Sequence, residues 1–176
     1  MSTVRLATLE DTKMIKEILY QTAYWLSEKG SEQWSGLLKG EDVHNIEEAI
    51  NRKEVYVVYI EDEVIGTFAL WDQQTDWDTD LWMKDDTRDY YYLHRIALAK
   101  DSHGKNLGKE LLRAVKLIAM ETNKKEVRLD CIATNDYLNH FYKSNGFTYY
   151  NTIKDYDNGE GLQDYNLFYW KVENNS

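Results

Sequence analysis

Proline is absent from this chain of 176 residues, and cysteine occurs once, at Cys131. With no internal repeat and no Pro/Ser-rich linker, the expectation is one domain over residues 1–176, large enough to bury a sizeable core. A single cysteine excludes intramolecular disulfides and Cys-rich zinc sites and suits a reducing compartment. No stretch reaches the ~18 apolar residues of a membrane span. The opening Met1-Ser2-Thr3-Val4-Arg5 also lacks a signal-peptide apolar region, so a cytoplasmic location is expected. Positive charge is scarce: 21 Lys and Arg face 31 Asp and Glu, a net charge of −10. That balance repels phosphate backbones, which argues against a nucleic-acid partner and favours a cationic one.

What the chain does contain is ordinary for a folded globular protein, 43% hydrophobic and 30% charged residues, too apolar for disorder. Aromatic residues make up 14%; most belong in a core, and some can line a pocket.

Periodicity supplies the elements. Val4 to Ala7 alternates as a short strand, and Asp11 is placed to cap a helix carrying Met14, Ile15, Ile18, Leu19 and Leu26. Gly30 to Gly40 reads as a loop, and Val43 to Arg52 as a short helix with Ile46, Ala49 and Ile50 inward. Val55–Ile60 and Val64–Trp71 form a hairpin across Glu61-Asp62-Glu63. Residues 72 to 89 are polar and acidic and are expected to be a surface loop pinned by Trp77, Leu81 and Trp82. Tyr90–Ala99 is a long strand, followed by a polar turn and a helix from about Lys105 to Glu121. Val127–Ile132 is a strand, expected to lie parallel to Tyr90–Ala99 across that helix. Asn135 opens a further helix that stops at Asn145-Gly146. Phe147–Ile153 and Leu162–Val172 close the chain on either side of Asp157-Asn158-Gly159. The fold class is mixed α/β, with about seven strands and four helices.

One turn carries chemistry. His103-Gly104-Lys105-Asn106-Leu107-Gly108 lies between a strand and an amphipathic helix, where backbone N–H groups and the positive helix end can hold a pyrophosphate. Gly104 and Gly108 allow a ligand close, and Lys105 and Lys109 add positive charge. The same turn can also serve as a plain strand-to-helix connection.

The wider run Leu93-His94-Arg95-Ile96-Ala97-Leu98 through Leu107-Gly108-Lys109-Glu110-Leu111-Leu112 resembles the coenzyme-binding motif of the GNAT acetyltransferases, Arg/Gln-X-X-Gly-X-Gly/Ala. Asn135-Asp136-Tyr137-Leu138-Asn139-His140-Phe141-Tyr142, followed by Asn145-Gly146-Phe147, is similar to that family's Asn-to-Tyr helix and its terminal Gly-Phe. The element order also looks like the family's, so the resemblance covers about Val4 to Trp170. Two positions depart from it: His103 stands where the family has Arg or Gln, and Asn106 where it has Gly. Histidine keeps an N–H donor, and asparagine tolerates a left-handed backbone, so an anion site can persist.

The resemblance implies a mixed, mostly antiparallel sheet flanked by helices, and an acetyl-CoA-dependent N-acetyltransferase that uses neither metal nor covalent intermediate. The pantetheine arm would lie along Ile96, Ala97 and Leu98, with the pyrophosphate at residues 103 to 108. The amide of Leu98 would polarise the thioester carbonyl. Asn135 would orient the pantetheine or the acetyl end, and Tyr142 would act as general acid near the sulfur, with a packed core tyrosine as the alternative. His94, on the same strand parity as Ile96 and Leu98, is a candidate proton relay; a strand histidine bonded to a backbone carbonyl is the other reading. Asp130, on the polar face of its strand, can pair with a cationic acceptor, Arg128 or Arg95. Trp25, Glu32, Trp34, Trp77 and Trp82 fall where the family builds its acceptor site, and aromatic walls with carboxylates suit a cation. Pinning loops to the core is the plainer use of these tryptophans. Cys131 reads as a buried thiol, since no His-Asp partner pattern surrounds it.

The expected acceptor is a primary amine of a small molecule. A protein or peptide amine, or a CoA-sensing module without turnover, are the alternatives. Exposed edge strands are compatible with a homodimer.

Overall fold

The structure is a computed structural model that describes residues 2–28, 46–102, 104–159 and 161–173. Strand β1 (Ser2–Leu6) leads through a 3-10 turn, Leu9–Asp11, into α1 (Thr12–Glu28). The cap lies earlier than Asp11. Thr8 is the N-cap, and Asp11 sits three residues on in a capping box, its carboxylate accepting from the Thr8 N–H at 2.8 Å. Arg5 clasps the same carboxylate through two hydrogen bonds of 2.7 and 2.8 Å. That guanidinium, foremost, lowers the Asp11 pKa to about 2, because it favours the charged form. Ile15, Ile18, Leu19 and Ala23 recur at helical spacing and are buried.

Helix α2 (Ile46–Asn51) buries Ile46, Ala49 and Ile50 as the spacing predicts. The expected start of that helix at residue 43 and the loop at 30–40 lie outside the described residues. Strands β2 (Val55–Ile60) and β3 (Glu63–Trp71) form the predicted antiparallel hairpin, with Glu61 at φ 56° in the turn.

The expected loop at 72–89 is corrected by α3 (Asp76–Trp82). Thr75 caps it: its hydroxyl oxygen accepts from the Asp78 N–H, while the Asp78 carboxylate accepts from the Thr75 N–H and hydroxyl. This reciprocal pair satisfies donors that would otherwise be orphaned at the start of the helix, and buried Leu81 holds its inner face.

Strand β4 (Tyr90–Leu98), a 3-10 turn (Lys100–Ser102), α4 (Gly108–Glu121), β5 (Glu126–Ile132), α5 (Asp136–Ser144), β6 (Thr148–Asp157) and β7 (Leu162–Lys171) complete the chain. The described residues thus hold five α-helices rather than four, and α4 begins at Gly108 rather than Lys105. The seven-stranded sheet has the order β1-β2-β3-β4-β5-β7-β6. Strands β4 and β5 pair parallel, as expected, while β1-β2, β2-β3, β5-β7 and β6-β7 are antiparallel.

Packing divides the chain into two units, Met1–Leu70 with His94–Val115, and Trp71–Leu93 with Lys116–Ser176. In the first, Gly66 is obligatory on steric grounds. A Cβ there would stand 2.5 Å from the Ala97 carbonyl oxygen and 2.9 Å from the Leu111 side chain, so only glycine lets β3 approach β4 and α4 so closely. In the second, Tyr165, Leu167 and Leu81 form a buried cluster flanked by Trp77, Ile132, Ile153 and Tyr156. No helix among the described residues is long and apolar enough to cross a membrane.

Candidate active site

The first unit carries the turn singled out for anion binding. Ala99 N–H donates to the Ile65 carbonyl at 2.8 Å and Ser102 N–H to that of Ala99 at 2.9 Å, which anchors the chain as it leaves β4. Gly104 then takes φ 79° and Asn106 φ 56°. Both are left-handed, the conformation that residues other than Gly and Asn resist. A Cβ on Gly104 would meet nothing within 4 Å, so its glycine answers to backbone conformation on an open side of the turn. Glu110 N–H bonds the Leu107 carbonyl at 3.0 Å, which makes Leu107 the residue ahead of the first turn of α4. Leu107 and Gly108 have no side-chain oxygen with which to cap that turn, so the first amides of α4 must find other acceptors. Glu110 is held by the Ser2 hydroxyl at 2.9 Å and by Arg113 at 3.5 Å. Alternating left-handed residues ahead of a helix start to which Leu107 and Gly108 give no side-chain cap, with Lys105 and Lys109 in the same run, fit a diphosphate. His103 lies outside the described residues.

In β4 the predicted parity of His94, Ile96 and Leu98 is interrupted. Arg95 sits at φ 54°, an irregularity that breaks strand alternation. Burial follows: Tyr91 to Leu93 are buried in succession, His94 to Ile96 are half-buried, Ala97 is buried and Leu98 is half-buried. Pairing of β4 with β5 covers Tyr90↔Glu126, Tyr91↔Val127 and Tyr92↔Arg128, so the ladder stops short of the residues expected to meet pantetheine.

The second unit holds Asn135 and Tyr142 at opposite ends of α5. Asn135 is the N-cap, its Oδ1 accepting from the Leu138 N–H at 3.0 Å. That use of the oxygen leaves the Nδ2 amide as the group able to meet a ligand. Tyr142 is 4% exposed, with Phe141, Phe147 and Phe168 rings 5.2, 6.0 and 6.0 Å away. Burial, then Cys131 and Asp130, push its hydroxyl well above the ordinary tyrosine range, so it is protonated at neutral pH. Cys131 is buried and its thiol is pushed up to about 12 by burial and Asp130, which leaves no thiolate at neutral pH.

The acceptor candidates are divided. Trp25 is half-buried on α1, while Glu32 and Trp34 lie outside the described residues. Asp130 accepts a hydrogen bond from the Trp77 indole at 3.1 Å, and Arg128 turns instead to Glu126 and the Tyr92 hydroxyl, both at 3.2 Å. Trp82 stacks on Tyr150 at 5.5 Å and carries the Arg128 guanidinium 4.9 Å from its ring centre, packing that pins the end of α3. Trp77 meets Tyr156 and Tyr165 edge-on at 5.0 Å each, and the Tyr156 hydroxyl donates to Asp80 at 2.7 Å. Sequence reasoning missed Gln74, which donates to the Met83 carbonyl and the Tyr92 hydroxyl and accepts from Asp85 N–H and the Thr79 hydroxyl. A glutamine one residue ahead of the Thr75-x-x-Asp78 capping box was the available signal.

Residues 19–147 match the model of the Acetyltransferase (GNAT) family. The chain is 36% identical over 143 residues to the uncharacterized N-acetyltransferase YesJ of Bacillus subtilis (strain 168), covering 81% of this chain and 79% of that protein. A crystal structure of a GNAT-family acetyltransferase from Listeria monocytogenes 4b F2365 shares 35% identity and a TM-score of 0.77, over 97% of this chain and 95% of that one. The structure of yncA from Salmonella typhimurium, with its cofactor acetyl-CoA, is 17% identical with a TM-score of 0.69, over 98% and 94% of the two chains. The chain belongs to the GNAT family of acetyltransferases, and its enzymatic class is acyltransferase.

Proposed function

We propose that this enzyme transfers the acetyl group of acetyl-CoA directly to the primary amine of a small, cationic molecule within a ternary complex, residues 1–176 acting as one domain. The observation that carries the reading is the turn before α4, with left-handed Gly104 and Asn106 ahead of amides that Leu107 and Gly108 cannot cap. Acetyl-CoA in the yncA structure supports the donor, and the family match, running through residues 19–147, supports a single domain.

Acetyl-CoA supplies the activated acyl group. Gly104 to Lys109 bind its diphosphate, Ile96 to Leu98 offer backbone groups to pantetheine, and Asn135 orients that arm through its amide. As the amine nitrogen bonds to the acetyl carbon and the carbon–sulfur bond breaks, Tyr142 gives its proton to the departing sulfur. Burial keeps this phenol protonated, the state from which a donor must start, while making it a weaker acid than a free tyrosine, so its proton moves only as charge develops on the sulfur. His94 takes the proton lost by the amine. Asp130 and Trp77, with Trp25, Glu32, Trp34 and Trp82, belong to the acceptor side, where the net charge of −10 favours an ammonium group.

Thermal unfolding with and without acetyl-CoA tests the donor. A ligand at 100 times its dissociation constant stabilises the fold by ~2.7 kcal/mol, a rise of roughly 5–11 °C for a chain of this length. A rise with acetyl-CoA and none with ATP or NAD is expected, followed by thiol release on adding amines. No rise would remove the reading.

A further inference from the structure

Helix α5 contains, in its interior, a residue type that helices disfavour. Asparagine competes with the backbone for hydrogen bonds and normally gravitates to caps and turns. Asn139 is nonetheless engaged on both sides of its carboxamide. Its Nδ2 donates to the Asn135 carbonyl at 2.8 Å, to that of Ile132 at 3.2 Å and, more weakly, to that of Ala133 at 3.4 Å. Its Oδ1 accepts from Asn166 Nδ2 at 2.7 Å and lies 3.6 Å from the Cys131 thiol. Asn166 in β7 accepts in turn from the Thr152 hydroxyl at 2.7 Å, and Thr152 shares a 2.5 Å hydrogen bond with Tyr149. The carbonyls it gathers belong to the passage from β5 into α5, the stretch that ends in Asn135.

We propose that Asn139 is a positioning residue for Asn135: by tying the β5–α5 passage to β7 it fixes the carboxamide that meets the pantetheine and acetyl half of acetyl-CoA. The inference rests on the role given above to Asn135. An apolar side chain at 139 would fill the space but remove the second donor of the Ile132 and Asn135 carbonyls, which keep the backbone amides of Asn135 and Asn139, and take away the side-chain partner of the Ala133 carbonyl and of the Asn166 amide; a carboxamide displaced by a fraction of an ångström binds its ligand less well.

Calorimetric titration with acetyl-CoA, and separately with adenosine 3′-phosphate 5′-diphosphate, the nucleotide half of the coenzyme, tests this. Asn139→Leu is expected to weaken acetyl-CoA roughly tenfold and to leave the nucleotide half unchanged. In an Asn135→Ala background the same substitution is expected to change neither. Equal weakening of both ligands, or an undiminished effect in the Asn135→Ala background, would reduce Asn139 to a structural residue and overturn the proposal. Asn166→Ala, which removes one bond to Asn139 and spares its donations, carries the test if Asn139→Leu does not fold. Its expected loss is about threefold, with the same ligand and background dependence; no loss overturns the proposal. A parent protein that binds neither ligand would remove the acetyl-CoA reading itself, and this inference with it.

Discussion

Helices α4 and α5 begin in opposite ways. At α5 the Asn135 side chain accepts the Leu138 amide, and at α3 Thr75 does the same for Asp78; these helices consume their own N-terminal donors. At α4, Leu107 and Gly108 offer no side-chain oxygen, and the backbone ahead of them is twisted through two left-handed residues. A helix that closes its own start is part of the scaffold, whereas one that leaves its start open presents a binding surface for an anion. The two motifs thus present different groups, and the proposed function gives them different duties, one toward the donor and the other toward the reaction.

Separating those duties is the sharpest way to test the comparison. Tyr142→Phe, on the self-capped helix, is expected to cut kcat by ten-fold or more with acetyl-CoA affinity almost unchanged. Because burial holds the parent hydroxyl protonated, kcat should show no alkaline fall from this group below about pH 10. Unaltered turnover in the variant, measured by thiol release, would remove Tyr142 from the mechanism. Leu107→Asp would give α4 the cap it lacks. The added carboxylate should satisfy an amide of the first turn and repel a diphosphate, weakening acetyl-CoA by roughly tenfold; tighter or equal binding by calorimetry would mean that these amides do not hold the coenzyme. Thr75→Ala makes the smallest change. Loss of the α3 cap should cost about 1 kcal/mol, a fall of roughly 2–4 °C in Tm, with the acetyl-CoA shift preserved.

Elements specified by local periodicity were legible in the sequence. The β2–β3 hairpin, the Asn135 cap and the stop at Gly146, which takes φ 89°, all follow from residue types acting on near neighbours, and the parallel β4–β5 pair follows from the helical crossover between its strands. Features set by distant partners were not. Helix α3 hides in a stretch of Asp, Thr and Trp whose composition reads as loop, and its capping box is only four residues long. The left-handed Arg95 has no local signature, because its conformation is imposed by the surrounding fold. Asn139 gains its significance from Asn166, 27 residues away. The proposed site divides along the same line: the turn and Tyr142 belong to contiguous motifs, whereas Asp130 and Trp77, the residues proposed for the acceptor side, are 53 positions apart and meet only in the folded chain.

Strand β6 closes one side of the sheet, and its pairing with β7 slips twice, between Tyr149 and Asn151 and between Ile153 and Tyr156, with Asp155 at φ 53°. A regular ten-residue border would be a ready template for a foreign strand. The two slips leave its free amides and carbonyls out of step with any straight β-segment, so the border resists zippering into aggregates as concentration rises, a safeguard obtained in a chain with no proline to interrupt the strand.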